Sequence, residues 1–409
     1  MSKRFFIIVA NLLLVGHASF AQDPFDSLFE KALQKNAELG SFRDEKEAAE
    51  AHRSRSHSTF YPSLDAVAGW EDRQEYVEPA KGYVGFLRGR LNLFNGFKDQ
   101  AFVQKASSEV QTREAGLEIK KRELKLALRE AVSEMLYLHG LQEILNEELE
   151  VSRTQKKMAS KKVAAGLTSS VDNIEFDLRT DELEIQKRRI DQAHVEVHQK
   201  LFKIFGEDIS DQDLAKIEFR NINDFKNILQ SSKNNLHPIR AKAQAEYDIS
   251  EAEKAIIRSD FLPKLEFEYA FGRLTPSEAA DRKFDESRIG MFVTIPLFSG
   301  FDTHYRLKAA TLVLAARKKE KEMVHLNMNA EFEILKEKMK EAVYLLEMNV
   351  RKRSSAKKYF DMTLGEYRRG IKNSPDLVGA TERFFDSEKQ KFELQKDLEV
   401  IATKIENLM

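Results

Sequence analysis

The sequence predicts a mainly α chain with membrane β: a duplicated β-hairpin set on long coiled-coil helices. Three observations carry this reading. Two proline-free stretches, Lys98 to Ala165 and Asp302 to Arg369, run far beyond an ordinary globular helix. Each begins just after a short segment of alternating apolar and polar residues, at Leu91-Asn92-Leu93-Phe94-Asn95-Gly96-Phe97 and at Ile295-Pro296-Leu297-Phe298-Ser299-Gly300-Phe301. There the hydrophobic period changes from two to about 3.6, and a glycine supplies the backbone freedom. Finally, Gly96 and Gly300 stand 204 positions apart, so the chain reads as two copies of one plan.

Bulk properties agree and exclude several functions. With 33% charged residues in 409 and a mean hydropathy of −0.50, the chain suits long helices with wet faces. A net charge of −1 offers no global field for nucleic acid. The absence of cysteine removes disulfides, thiol nucleophiles, cysteine metal sites and an N-terminal lipidated cysteine. Residues 1–21 read as a signal peptide: Lys3 and Arg4, an apolar run from Phe5 to Val15, then Ser19-Phe20-Ala21. That run is too short to span a bilayer, and the mature chain is expected to start at Gln22. No later stretch of 18 apolar residues exists, so residence in a membrane requires a β-barrel or an interfacial surface.

The elements follow in order. Asp23-Pro24 reads as an N-cap with proline at the first helical position, opening a helical region with a break near Asn36 and a stop at Tyr61-Pro62. The first repeat is expected over 22–206, with strands at 64–71 and 83–93 and long helices at 98–165 and 170–205. A polar connector occupies 207–234, with a short helix around Phe225 to Gln230. The second repeat is expected over 235–409, with strands at 265–272 and 288–295 and long helices at 302–369 and 375–406. Loops rich in turn residues, around Glu78-Pro79 and from Leu274 to Asp285, make each strand pair a hairpin.

The long helices share a seam. Leu124, Leu128, Ala131, Met135, Leu138 and Leu145 follow a 4-3 spacing interrupted by Gln142; Met328, Phe332, Leu335, Met339, Ala342 and Leu346 repeat it in the same register. Four strands cannot close a membrane barrel, for which about eight is the usual minimum. Two, three or four copies would each exceed it, and three would give twelve strands. A helix of about 68 residues spans roughly 100 Å, enough for a rod anchored in one membrane to cross a wide aqueous gap.

The repeat, the paired joints and the Gly-turn-Asp tips resemble the TolC family of outer-membrane efflux proteins, the outer membrane factors. The specific pieces are Ile295-Pro296-Leu297-Phe298-Ser299-Gly300, Tyr367-Arg368-Arg369-Gly370 with Asp376-Leu377, and Gly166-Leu167-Thr168 with Val171-Asp172. The likeness covers about Asp23 to Leu408. It implies a homotrimer, with a 12-stranded β-barrel in the outer membrane on an α-helical barrel in the periplasm. It further implies docking to a periplasmic adaptor (membrane fusion) protein and an inner-membrane pump of RND or ABC type, and passive export of small molecules or proteins without catalysis.

Candidate site residues follow. Gly166 and Gly370 fit helix C′ positions; Ser170 and Ser374 fit N-caps, with Asp172 and Asp376 in the first turns. Capping alone accounts for all of them. The resemblance adds that Gly166, Leu167, Thr168, Gly370 and Ile371 contact the adaptor and that Asp376 and Asp172 lie at the periplasmic constriction. It also places Tyr367 and Lys372 in an inter-helix latch. The pattern departs at Gly379, where the best-known members carry a second aspartate, so one acidic ring and weaker cation selectivity are expected. Pro62, Gly96, Pro263, Pro296 and Gly300 mark the barrel–tunnel joints. Asp65, Glu71, Arg88, Arg90, Glu266 and Glu268 are expected to line the barrel lumen if the opposite, apolar faces meet lipid. Trp70, Tyr83 and Tyr269 suit interfacial aromatic belts.

His194 and His198, four apart, have a zinc-chelating spacing but no third ligand nearby, and read as a solvated helical face. The helical carboxylates read as surface i,i+4 pairs. With no phosphate loop, Ser/His/Asp order or metal signature, no enzyme activity, cofactor or metal is expected. The competing reading is a soluble periplasmic coiled-coil scaffold or adaptor; such adaptors usually carry one helical hairpin, not two.

Overall fold

The computed structural model describes residues 24–74, 80–210, 214, 216–230, 237–277 and 286–409. The signal-peptide reading, Asp23 and the Glu78-Pro79 loop lie outside them. The chain runs α1 (Pro24–Lys35), α2 (Ala37–Ser56), a 3-10 turn (His57–Phe60), β1 (Ser63–Arg73), β2 (Ala80–Asn95), α3 (Lys98–Ala164) and α4 (Val171–Phe205). It continues with α5 (Ile222–Gln230), α6 (Pro238–Ser259), β3 (Lys264–Ser277), β4 (Glu286–Thr294), α7 (Asp302–Arg368) and α8 (Ser374–Leu408). The break at Asn36 is a cap: its Oδ1 accepts from Leu39 N at 2.9 Å, while its Nδ2 reaches Ile204 O at 2.9 Å.

Helices α3 and α7 each hold 67 residues, about 100 Å of rod. An isolated helix of that length has no reason to stay straight, because its stability comes from the face it buries. Shorter helices cover that face in relay. Near the sheet, α2 packs on α3, and α6 packs between α3 and α7; further along, α4 and α8, 35 residues each, take over. All six apolar seam residues of each long helix are buried, and Gln142 is half-buried. The equator is closed twice in the same manner. Phe25 and Leu28 of α1 insert against α3 and the end of α4, and Phe225 of α5 inserts against α7 and α8. Among the described residues, no helix is long and apolar enough to cross a membrane.

The four strands form one antiparallel sheet in the order β1-β2-β3-β4, so the two repeats meet at β2–β3 while β1 and β4 are the edges. Register sorts the side chains. Asp65 lies opposite Arg88, Arg90 opposite Glu268, Asn92 opposite Glu266, and Glu71 opposite Gly82, all on one face. Ala66 and Leu87, Leu87 and Phe271, Tyr269 and Ile289, and Phe267 and Met291 pair on the other. Salt bridges Arg90–Asp65 and Arg288–Glu268, each 2.9 Å, tie the charged face together. On the apolar face Leu64 is 74% and Ile289 72% exposed, so no described residue covers it.

The strands differ from expectation at their ends. β2 extends three residues earlier, and β3 runs on to Ser277, into the segment expected as a loop from Leu274. The cause is Glu286, whose Oε2 accepts from Thr275 N and Oγ1 at 2.8 Å and from Leu274 N at 3.2 Å. The two strand-to-helix joints also differ. β2 continues to Asn95, whereas β4 stops at Thr294 and residues 295–299 belong to no strand. Pro296 has no N–H to donate to a ladder, and its counterpart is Asn92.

Candidate functional site

The hairpin turns α3–α4 and α7–α8 are built alike. At the first, Gly166 adopts φ 67°, Gly166 N donates to Val163 O at 3.0 Å and Leu167 N to Lys162 O at 2.9 Å. At the second, Gly370 adopts φ 79°, Gly370 N donates to Tyr367 O at 3.1 Å and Ile371 N to Glu366 O at 3.0 Å. Both are Schellman stops, which need a left-handed residue at C′ and so favour glycine. In such stops the residue after the glycine usually packs back on the helix. Here Leu167 and Ile371 stand 75% and 65% exposed.

Capping of the returning helices departs from expectation. Ser374 is not the N-cap: Asn373 is, its Oδ1 accepting from Asp376 N at 3.0 Å. Ser374 is instead buried, its Oγ donating to the Tyr367 hydroxyl at 3.4 Å. Ser170 makes no side-chain cap bond either; Ser169 Oγ accepts from Val171 N at 3.3 Å, and Thr168 Oγ1 donates to Asp172 Oδ2 at 2.5 Å.

Tyr367 is 1% exposed and holds the two tips together. Its ring meets Phe176 of α4 edge-on at 6.2 Å. The cation on it is Lys162 of α3, not Lys372: Lys162 Nζ lies 3.8 Å from the ring centroid and donates to Tyr367 O. Burial pushes the Tyr367 pKa up, with Asp172 adding to it and the Ser374 bond opposing. Lys372 turns the other way and pairs with Asp376 at 3.8 Å, so the lone acid of this turn already carries a cation.

Two buried carboxylates lie between the hairpins, where the sequence reading placed only surface pairs. The Glu148 side chain is fully buried; it pairs with Arg179 of α4 and, at 2.8 Å, with Lys389 of α8. Arg179 also reaches Glu382 of α8 at 2.9 Å. Glu399 of α8 binds the connector residue Arg220 at 2.8 Å and faces Arg129 of α3 at 3.7 Å. Burial lowers the Arg220 pKa, but Glu399 and Glu406 outweigh it and the net direction is up. The sequence signal was available. Glu148 shares a stripe with Leu145, Leu149 and Ser152, positions that face inward on a helix.

The remaining predicted residues fall at the sheet and its joints. Gly96 (φ 61°) and Gly300 (φ 62°) are both left-handed, each followed by a left-handed phenylalanine, Phe97 and Phe301. Only Gly96 is also crowded: a Cβ there would meet Ser259 O at 2.7 Å, while Gly300 faces open space. Pro62 follows the 3-10 turn, and Pro263 follows α6. His194 is not on a plain solvated face, since its ring packs on His139 at 5.1 Å. Among the described residues no group of three potential ligands is suited to a metal.

A sequence model of the family described as outer membrane efflux protein matches residues 28–196 and 229–409. A search of curated proteins finds no match. Among solved structures, the outer-membrane channel OprN aligns with a TM-score of 0.82 at 15% identity, covering 94% of this chain and 89% of that one. The outer membrane protein VceC of Vibrio cholerae gives 0.80 at 16% identity, over 94% and 95%. The open state of the MtrE outer membrane channel of Neisseria gonorrhoeae gives 0.76 at 12% identity, over 94% and 88%. At such identities the likeness speaks to the fold alone, and it extends over nearly the whole of each chain.

Proposed function

This chain belongs to the outer membrane efflux protein family, and from that premise we propose that it is the exit duct of a tripartite efflux pump or type I secretion system. Three copies close a twelve-stranded barrel in the outer membrane, standing on a helical tunnel in the periplasm. Solutes pass through it without chemical change. The tips at Gly166 and Gly370, with Tyr367, Lys162 and Asp376 behind them, form the periplasmic entrance. They open when a periplasmic adaptor and an inner-membrane pump of RND or ABC type engage them, with exposed Leu167 and Ile371 as the contact.

One observation supports the reading most. Among the described residues the sheet has an uncovered apolar face, a charged face and two unpaired edges, β1 and β4. An isolated sheet of that kind is an aggregation hazard in water. Joining β1 of one copy to β4 of the next removes the edges, turns the apolar face to lipid and encloses Asp65, Arg88, Arg90, Glu266 and Glu268 around a lumen.

The test is direct. Detergent-extracted protein should come from the outer-membrane fraction as a trimer that resists heat until the barrel melts, and it should conduct ions across planar bilayers. A monomer in the soluble periplasm without conductance would overturn the proposal.

A further inference from the structure

We propose that the collar where sheet meets helices binds the acidic headgroups of phospholipids in the membrane leaflet facing the helices. The inference rests on the barrel reading above. Its basis is a band of charge at one height. Residues 52–62, 95–105, 254–264 and 299–309, which flank the joints, hold nine Lys and Arg against three Asp, a net of +6 in a chain whose total is −1. One turn further along α2, α3 and α6 the sign reverses, with Glu50, Glu109 and Glu253. At the other end of the sheet, residues 71–81 and 272–288 hold six Lys and Arg against eight Asp and Glu, a net of −2.

The four segments meet in space. Lys98 and Arg306 converge on the single carboxylate of Asp260, at 3.3 and 3.2 Å, with Lys264 at 3.9 Å. The end of α2 joins them across a groove of about 530 Å³ that Arg55, Phe102 and Lys105 help to line. Arg306 also reaches Asp302 at 3.5 Å, so three cations meet two anions and one positive charge is left over. Arg53, Arg55, Arg258 and Lys308 are exposed and make no ion pair with any described residue. Aromatic side chains interleave with this band: Tyr61, Phe97, Phe298, Phe301 and Tyr305 are each at least 60% exposed. Between α3, α6 and α7 a second groove, about 450 Å³, has apolar walls from Phe102, Ile256, Ile257 and Val313, with Arg306 and the Lys105–Glu253 pair, 2.8 Å apart, also in its lining.

Charge identifies the occupant. Aromatic rings at the edge of an apolar sheet sit at headgroup level, and Lys and Arg beside them attract anionic lipid. A neighbouring copy cannot neutralise the band. In a ring of copies whose axis runs along the helices, each neighbour brings its own +6 to the same height. The grooves offer apolar walls for an acyl chain, and Arg55, which makes no ion pair with any described residue, stands at the first of them for a phosphate.

The experiment uses the full chain, reconstituted into bilayers of phosphatidylethanolamine with phosphatidylglycerol. The lipid retained around the extracted protein is quantified by mass spectrometry, and conductance is recorded in the same membranes. Phosphatidylglycerol should be enriched over its bulk fraction, about fivefold at each engaged cation at low salt, and the enrichment should vanish at high salt. The variant R53Q/R55Q/R258Q/K308Q should retain lipid at close to bulk composition and conduct as before. Retained lipid at bulk composition in the unmodified protein, enrichment indifferent to salt, or equal enrichment in the variant would each overturn the inference. So would bulk composition with Lys308 shielded from amine labelling, which would assign the band to a protein partner. Loss of conductance with enrichment intact would strike the duct reading instead, leaving the collar standing.

Discussion

Replacing Glu148 with Gln keeps the shape of the side chain and removes the charge on which α4 and α8 converge. The Glu148 side chain is fully buried, Arg179 is 10% exposed and Lys389 19%. Removing one partner from a buried ion pair costs about 3–5 kcal/mol, because the other charge is left without compensation. Here the damage is uneven. Arg179 keeps Glu382 at 2.9 Å and Glu182 at 3.1 Å. Among the described residues Lys389 keeps only Asp386, at 3.9 Å and itself 67% exposed. The cost therefore falls mainly on Lys389, and the low end, about 3 kcal/mol, is expected. That corresponds to an opening equilibrium on the order of 100-fold more favourable. Amide hydrogen exchange on the detergent-solubilised protein reads it locally, in peptides around Glu148 and around Lys389. Lys389→Met in the Glu148→Gln background should restore part of the protection, with a coupling of about 1–3 kcal/mol. A change under about fivefold, or strictly additive effects, would refute the idea that this buried carboxylate clamps the two hairpins.

Further expectations follow from other sites. Gly300→Ala should cost about 1–2 kcal/mol for its left-handed backbone, whereas Gly96→Ala adds a clash with Ser259 O and should lower the oligomer's melting temperature clearly more; equal shifts would contradict the difference between the joints. Lys162→Met removes the ammonium over Tyr367, worth about 1–2 kcal/mol, and should raise the frequency of spontaneous opening in planar bilayers. Asp376→Asn should reduce cation preference, read as a reversal potential across a salt gradient; an unchanged value takes Asp376 out of the conduction path.

His237 predicts a pH dependence. It is 2% exposed, its Nδ1 accepts from Ile239 N at 3.2 Å as the cap of α6, and its Nε2 meets Asn407 O at 2.5 Å. Burial lowers its pKa; the Asn407 bond opposes, while Arg122 and Arg240 reinforce the lowering. The unfolded chain then binds the proton more readily. Stability is complete above the ordinary value of about 6.5 and is lost as pH falls through the folded value. Exchange at the start of α6 should rise on acidification, and His237→Asn should flatten the response.

What the sequence disclosed and what it withheld divide by range. The seam residues Leu124 to Leu145 and Met328 to Leu346 announce themselves through period, and Gly166 and Gly370 through local backbone need, so both were legible. The partner of Tyr367 was not. Lys162 lies 205 positions away, while Lys372 is near in sequence and turns instead to Asp376. Asn373 displaced Ser374 as the cap because Ser374 is buried against the Tyr367 hydroxyl, a tertiary bond that local preference cannot register. β3 overran its expected loop because Glu286, on the next strand, satisfies its backbone. A carboxylate in a charged helix, such as Glu148, reads as solvated unless its place in the apolar stripe is weighed.

The closure of β1 onto β4 between copies is the point on which the duct stands, and the cysteine-free chain allows it to be measured cleanly. A fixed Met291→Cys on β4 can be combined in turn with Leu64→Cys, Ala66→Cys and Ala68→Cys on β1, all on the apolar face, and oxidised in the intact membrane. Covalent dimers and trimers are expected at one register, with nothing larger. Absence of intermolecular bonds at every position, or a ladder extending past the trimer, would contradict it.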